Sequence, residues 1–163
     1  MNAPLPPIDA VHGAQLLIVD DVAANLALLG DLLHGAGYRV RAANSGAAAL
    51  HYAQREPRPA LILLDVMMPA MDGYQVLDHL RADPLTADIP VIFLTALDSA
   101  RDEERGFRHG AADYIAKPFH PDVVLARVRS QLLAKLGQDF LRDRKEALEA
   151  EIARRMRENE LIQ

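Results

Sequence analysis

The sequence predicts an α/β fold in which a five-stranded parallel sheet carries helices on both faces. Three short apolar runs, at residues 16–19, 61–64 and 91–94, do not alternate with polar residues, which is typical of parallel strands buried on both faces. Segments with helical spacing of leucine and valine separate these runs. Right-handed crossovers between successive strands then place the helices on the two faces of one sheet.

Two further segments complete the set of predicted strands. Residues 38–42 alternate between polar and apolar side chains, so we expect a strand at an edge of the sheet with one face in water. Residues 113–116 form a shorter apolar run, which fits the opposite edge.

Five helices are predicted from their apolar periodicity and their end signals. The first runs from about Val22 to Ala36 and is followed by glycine. Residues that favour a helix start precede the other four. They are Ser45, Asp72, Ser99 with Asp102 as a possible capping box, and Pro121.

The chain divides into three predicted parts. Residues 1–13 contain three prolines and neither a basic residue nor an apolar h-region, so we expect a disordered leader and not a signal peptide. Residues 14–136 form the globular domain. Residues 137–163 are rich in Arg, Glu, Leu and Ala and are predicted to continue the fifth helix as a linker to a missing output domain.

A thin apolar stripe runs along this linker. Its members are Leu141, Leu148, Ile152 and Met156. Arg155 and Asn159 interrupt a regular heptad, so a parallel dimeric coiled coil and a solvated single helix both remain open.

Composition excludes several function classes. The net charge of −5 does not favour capture of nucleic acid or anionic lipid, and no apolar run approaches the ~18 residues that span a membrane. Absence of cysteine excludes disulfides, thiolate zinc sites and thiol catalysis. The six histidines are scattered without ligand-like spacing, and we expect a cytoplasmic protein.

Polar side chains follow four of the predicted strands directly. Sites in open parallel sheets form beyond the carboxyl ends of the strands, so these side chains are expected to converge. They are Asp20 and Asp21, Asp65, Thr95, and Lys117. A cluster of carboxylates suits Mg²⁺ or Mn²⁺, and with an ammonium and a hydroxyl it can accept a phosphoryl group. Asp65 is the predicted nucleophile because it follows a central strand.

Four motifs in this chain resemble the signature of response-regulator receiver domains. They are Val19-Asp20-Asp21, residues 64–69 (LDVMMP) with Asp72-Gly73, Leu94-Thr95-Ala96, and residues 116–119 (AKPF). The resemblance runs from about Gln15 to Leu136 and implies a flavodoxin-like sheet of order 2-1-3-4-5.

The same resemblance implies a role for each site residue. Asp65 would be the phosphoacceptor. Asp20, Asp21 or both, with Asp65 and the backbone carbonyl of Met67, would bind Mg²⁺ or Mn²⁺. Thr95 and Lys117 would hold the phosphoryl group. Tyr114 would be the aromatic switch residue, turning inward on phosphorylation, and the Lys117–Pro118 bond would be cis.

A receiver domain implies partners as well. The phosphoryl donor would be a sensor histidine kinase or a phosphotransfer protein, and the C-terminal helix would carry the signal to an output domain and mediate a homodimer. Residues 148–155 resemble connectors ahead of HD-GYP cyclic-di-GMP phosphodiesterase domains, although diguanylate cyclase and histidine-kinase outputs remain open.

Two other functions fit parts of the pattern. One is a metal-dependent phosphatase with an aspartyl nucleophile. Haloacid-dehalogenase-like enzymes place a second Asp two residues after the nucleophile, where this chain has Met67. The other is a structural dimerisation module with a vestigial acidic site, against which the intact Thr95 and Lys117 argue.

Overall fold

The computed structural model of the chain describes residues 11–96 and 100–162. It has the five-stranded parallel sheet that the sequence predicts, in the order β2-β1-β3-β4-β5 that the family resemblance implies. The strands are β1 (Gln15–Val19), β2 (Arg39–Ala43), β3 (Leu61–Asp65), β4 (Val91–Thr95) and β5 (Asp113–Ala116). The helices are α1 (Ala23–Gly35), α2 (Gly46–Ala53), α3 (Gly73–Ala82), α4 (Ala100–His109) and α5 (Pro121–Ile162).

Burial along the strands follows their place in the sheet. Every residue of the central strands β3 and β4 is buried, which explains why their sequences do not alternate. Edge strand β2 buries only Ala43 fully, and its two arginines are exposed. The predicted assignment of central and edge strands is therefore confirmed.

Two hydrophobic layers enclose the sheet. On one face, side chains such as Leu64 and Phe93 pack against α2 and α3. On the other, Leu63 and Leu94 pack against α1 and the first part of α5. Each fully buried large side chain contributes about 1.5–3 kcal/mol relative to exposure, so the two layers fix the sheet that positions the strand ends.

Local signals account for the starts of α2 and α3. Ser45 Oγ accepts the Ala48 N–H at 3.2 Å, and Asp72 forms a reciprocal capping box with Gln75. The predicted Ser99 cap lies outside the described residues. α1 begins after the N-cap residue Val22, whose side chain makes no cap, and neither Asp20 nor Asp21 occupies the N-cap position.

The two ends of the domain extend beyond the sheet. Val11 is buried in the α1/α5 layer and the Gly13 N–H donates to Gly37 O at 3.1 Å, so the described end of the predicted leader packs on the domain. Residues 1–10 lie outside the described residues.

The fifth helix is continuous over 42 residues, and the predicted apolar stripe on its distal part is exposed. Within the described ranges, no helix is long and apolar enough to cross a membrane.

Candidate functional site

The sheet brings the predicted polar groups to one place at its carboxyl end. Asp65 ends β3 and Thr95 ends β4, while Asp20 and Lys117 directly follow the neighbouring strands β1 and β5. Asp20, Asp65 and Thr95 have 0%, 3% and 5% of their surface exposed. Polar groups this deeply buried need partners, and those partners define the site.

Lys117 links the two buried carboxylates. Its Nζ lies 3.2 Å from Asp20 Oδ2 and 3.2 Å from Asp65 Oδ1. Its backbone N–H donates to Thr95 O at 2.8 Å, which fixes the lysine beside the end of β4. The Lys117–Pro118 peptide bond is cis, in agreement with what the family resemblance implies.

The electrostatics of the site centre on Asp65. Burial, and then the neighbouring Asp20 carboxylate, raise the pKa of Asp65 to about 6, against opposing effects of Lys117 and of the Met67 N–H. For Lys117, burial lowers the pKa, but Asp65 and Asp20 outweigh it and the pKa is raised. One ammonium therefore serves two carboxylates, and the site holds excess negative charge.

A third carboxylate joins this group. Asp20, Asp21 and Asp65 each offer an oxygen, and these oxygens lie within 4.8 Å of one another. Oxygen ligands and surplus negative charge are what a hard divalent cation such as Mg²⁺ requires. The residues present thus fit the predicted Mg²⁺ or Mn²⁺.

The two adjacent aspartates differ in their surroundings. Asp20 Oδ1 accepts the Val22 N–H at 2.9 Å, and Asp20 Oδ2 accepts from Asn25 Nδ2 at 3.1 Å as well as contacting Lys117. Asp21 is exposed and has no hydrogen bond or ion pair to the described part of the chain. The Asp21 oxygens are therefore the more available for a metal ion.

The loop after β3 supports the Asp65 side chain. The Met67 N–H donates to Asp65 Oδ1 at 3.2 Å, while the Met67 side chain points outward with 67% exposure. The start of α3 closes on this loop, because the Gly73 N–H donates to Val66 O at 2.9 Å. A Cβ at Gly73 would lie 2.5 Å from Asp65 O, so only glycine permits this approach.

The Tyr114 ring lies in the core beside the site. It is 8% exposed and contacts Phe93, with 5.9 Å between ring centroids, and Phe107 of α4, at 5.2 Å. Tyr114 therefore already occupies an inward position, whereas we expected it to turn inward on phosphorylation.

Two contributors to the site were missed at the sequence level. Asn25 bonds Asp20 from the first turn of α1, and Gly73 admits the close approach of α3. Gly73 belongs to the Asp72-Gly73 motif, but the motif alone does not reveal that the backbone of α3 approaches Asp65 too closely for a Cβ. The sequence does contain a hint for Asn25. Asparagine is a poor helix former, and inside a helix its side chain often hydrogen-bonds to nearby groups.

Comparison with known proteins identifies similar chains. The family model described as response regulator receiver domain matches residues 16–129. Over 131 residues the chain is 46% identical to the response regulator PleD of Caulobacter vibrioides, covering 80% of this chain and 29% of PleD. Over 148 residues it is 40% identical to a probable cyclic di-GMP phosphodiesterase of Vibrio cholerae, covering 91% of this chain and 33% of that protein.

A solved structure extends the comparison to the site. The receiver domain of the sensor histidine kinase PA1611 of Pseudomonas aeruginosa PAO1, which has a magnesium ion coordinated in its active site cleft, superimposes with a TM-score of 0.67 at 33% identity. The match covers 75% of this chain and 98% of that domain. By contrast, the chain spans about a third of the length of the two curated relatives.

Proposed function

The chain belongs to the response-regulator receiver domain family of two-component signalling, and on that premise we propose that it is a switch that accepts a phosphoryl group on Asp65. One observation carries the proposal. The Asp65 carboxylate is nearly buried, yet it lies 3.2 Å from the Lys117 ammonium and within 4.8 Å of two further carboxylates. Such a carboxylate is held in position for attack on phosphorus while cationic groups offset the charge that develops.

The phosphoryl donor is a phosphohistidine of a sensor histidine kinase or of a phosphotransfer protein. An Asp65 oxygen forms a bond to phosphorus as the phosphorus–nitrogen bond breaks, and the histidine leaves with the electron pair. The ammonium of Lys117 then pairs with the phosphoryl oxygens, and the Thr95 hydroxyl donates to them. Asp65 must be ionised to react, and its pKa of about 6 is compatible with neutral pH.

A divalent cation, Mg²⁺ or Mn²⁺, supplies neutralisation of the phosphoryl oxygens when it is bound. Asp21, Asp65 and the Met67 carbonyl are the proposed direct ligands. Asp20 contributes mainly its charge, since both of its oxygens already accept hydrogen bonds from the protein. The magnesium ion in the cleft of the Pseudomonas aeruginosa receiver domain supports this assignment.

The signal leaves through α4, β5 and α5. Thr95 ends β4 opposite Ala116 of β5, two residues after Tyr114, and Tyr114 packs on Phe107 of α4. Movement of Thr95 toward a phosphoryl group would alter this packing, and Tyr114 reports it from its buried position. Because α5 follows β5 directly, a shift of β5 reaches the long helix.

The output is a domain joined to α5 in the same protein, acting in the cytoplasm. We favour a cyclic-di-GMP phosphodiesterase, because the similarity to the Vibrio cholerae protein of that description covers 91% of this chain. A diguanylate cyclase or histidine-kinase output is the alternative. The fragment itself would have no catalytic turnover beyond its own phosphorylation and dephosphorylation.

The distal helix pairs with a second copy of the chain. Leu141, Leu148, Ile152 and Met156 are each more than half exposed, and most helical stability in proteins comes from packing of such an apolar face. Sedimentation velocity at tens of micromolar, with and without beryllofluoride, tests the pairing. We expect Ile152→Asp to yield monomers and Ala150→Asp, on the opposite face of the same helix, to behave as the parent. A parent that sediments as a monomer under both conditions contradicts the dimer.

The phosphoacceptor is tested with acetyl phosphate and Mg²⁺. We expect one labile phosphoryl group by intact mass, complete loss of it in Asp65→Asn, and full labelling in Asp31→Asn, an exposed aspartate of α1. Undiminished labelling of Asp65→Asn would exclude this residue. Steady hydrolysis of a small phosphoester that depends on Asp65 would instead favour the phosphatase. Absence of both phosphorylation and metal binding would leave a dimerisation module.

A further inference from the structure

Asn25 contacts the site from outside the strand ends. It lies in the first turn of α1 and is half-buried, and its amide Nδ2 donates to Asp20 Oδ2 at 3.1 Å. The Lys117 ammonium contacts the same oxygen at 3.2 Å. An ionised carboxylate only accepts hydrogen bonds, so the nitrogen of the amide must face it.

The Asp20 carboxylate therefore has hydrogen-bond donors besides Lys117. The Val22 N–H occupies Oδ1 at 2.9 Å, and Asn25 and Lys117 share Oδ2. Asp65, by contrast, has the Met67 N–H and Lys117, which both contact Oδ1. Lys117 therefore contacts two carboxylates: Asp20, which has two other donors, and Asp65, which has one and depends on the lysine more heavily.

This division matters when the charge on Asp65 changes, and the inference here rests on the proposed phosphorylation of Asp65. Once a phosphoryl group is on Asp65, the lysine ammonium must turn to the new oxygens. Asp20 is 0% exposed, so water cannot replace the lysine directly at Oδ2. Without another donor, the departing lysine would leave a buried anionic oxygen unbonded, which is unfavourable.

We propose that Asn25 is a positioning residue that keeps Asp20 Oδ2 hydrogen-bonded and so releases Lys117 to bind the phosphoryl group. The side chain acts through Asp20 and Lys117 and does not itself touch the reacting atoms. Its place in a helix fits this role, because asparagine is a poor helix former and this one turns its amide back toward the loop before α1.

The proposal predicts that losing Asn25 weakens the binding of one ligand and does not weaken that of the other. In Asn25→Leu, Asp20 Oδ2 has only Lys117, so the lysine is held more tightly and the phosphoryl mimic beryllofluoride should bind about tenfold more weakly, the size expected for one hydrogen bond to a charged group. Mg²⁺ alone should bind as in the parent or more tightly, because a donor that competes for the carboxylate is gone. Asn25→Gln retains an amide donor and should recover most of the beryllofluoride affinity.

Isothermal titration of Mg²⁺, and then of beryllofluoride at saturating Mg²⁺, measures both affinities on the full chain. Asn44→Leu, the same change at an exposed loop position, is the matched control and should alter neither. Equal losses of both affinities in Asn25→Leu would mean that Asn25 only maintains the fold, and unchanged beryllofluoride affinity would mean that it does not release Lys117. Either result overturns the proposal. If the parent itself binds no beryllofluoride and takes no phosphoryl group, the proposed function fails first.

Discussion

The two ends of the parallel sheet hold their partly or fully buried charges in different ways. At the carboxyl end, Asp20 and Asp65 share the ammonium of Lys117, and the pKa of Asp65 is raised to about 6. At the amino end, the Arg81 guanidinium donates to three backbone carbonyls, those of Ala87 at 3.1 Å, Ile89 at 2.7 Å and Gly110 at 3.0 Å.

The difference separates stability from chemistry. Arg81 ties the end of α3, through neutral carbonyls, to the segments that lead into β4 and β5. Burial lowers the pKa of Arg81, and the charge of Asp88 opposes that shift. The acidic end keeps more negative charge than one lysine can offset. That excess destabilises the fold and, under the proposed function, favours binding of a cation and a phosphoryl group. We therefore expect substitutions at the two ends to separate folding from phosphorylation.

The largest effect is expected at Lys117. Lys117→Ala leaves two buried carboxylates without their shared cation, so metal-free protein should lose about 3–4 kcal/mol of its free energy of unfolding and phosphorylation should fall below detection. Urea denaturation in EDTA measures the first and acetyl phosphate labelling the second. Adding Asp65→Asn should restore much of the stability but none of the labelling. Lys135→Ala, which removes a more exposed pair with Asp139, should cost below about 1 kcal/mol.

A smaller loss, confined to folding, is expected at Arg81. Arg81→Ala leaves three carbonyls without their donor, so the free energy of unfolding should fall by about 2–3 kcal/mol. The rate of phosphorylation of the folded protein should stay within about twofold, because substitutions at distant sites are usually coupled by no more than about 0.5 kcal/mol. Arg108→Ala, at an exposed ion pair with Glu104 on α4, is the control. If Arg81→Ala slowed phosphorylation as strongly as it lowered stability, the two ends would not be independent.

The smallest of the three effects is a dependence on pH. Because the pKa of Asp65 is about 6 in the folded protein and about 3.8 otherwise, the folded state binds this proton more tightly. Proton binding by Asp65 therefore adds to the free energy of unfolding at low pH, and this contribution is lost as pH rises from about 4 through 6. Metal-free Asp65→Asn should thus exceed the parent in stability by about 2 kcal/mol at pH 7 and match it near pH 4. A difference that grows toward acid would contradict the sign of this shift.

The sequence predicted the acidic end of the sheet better than the opposite end. Four polar groups follow strands, and parallel topology alone places strand ends together, so Asp20, Asp65, Thr95 and Lys117 needed no tertiary detail. Arg81 gave no such signal, because the carbonyls that it binds lie in two separate segments, before β4 and before β5. Whether these segments meet depends on how α3 packs against the sheet.

Within the site, side-chain direction was the part that the sequence could not supply. Asp20 and Asp21 are adjacent and chemically identical, yet one turns into the protein and the other faces solvent. The roles of Asn25 and Gly73 likewise depend on where α1 and α3 begin relative to the strand ends. The inward Tyr114 depends on Phe107, which lies on a different element and has no sequence mark of that contact.

The continuity of α5 has a mechanical consequence. Val124, Val128 and Leu132 anchor its first turns in the core, while the part beyond Leu136 projects about 39 Å at 1.5 Å per residue. A tilt of about 5° at the anchored root would therefore swing the far end by about 3 Å, more than the root itself moves. Gly137 lies where the helix leaves the domain and has open space where a Cβ would be. Just beyond it, the Arg142 side chain contacts Asp88 of the domain. The bending stiffness of α5 between Gly137 and Arg142 therefore determines how far a small rotation at the sheet displaces the distal end of the helix.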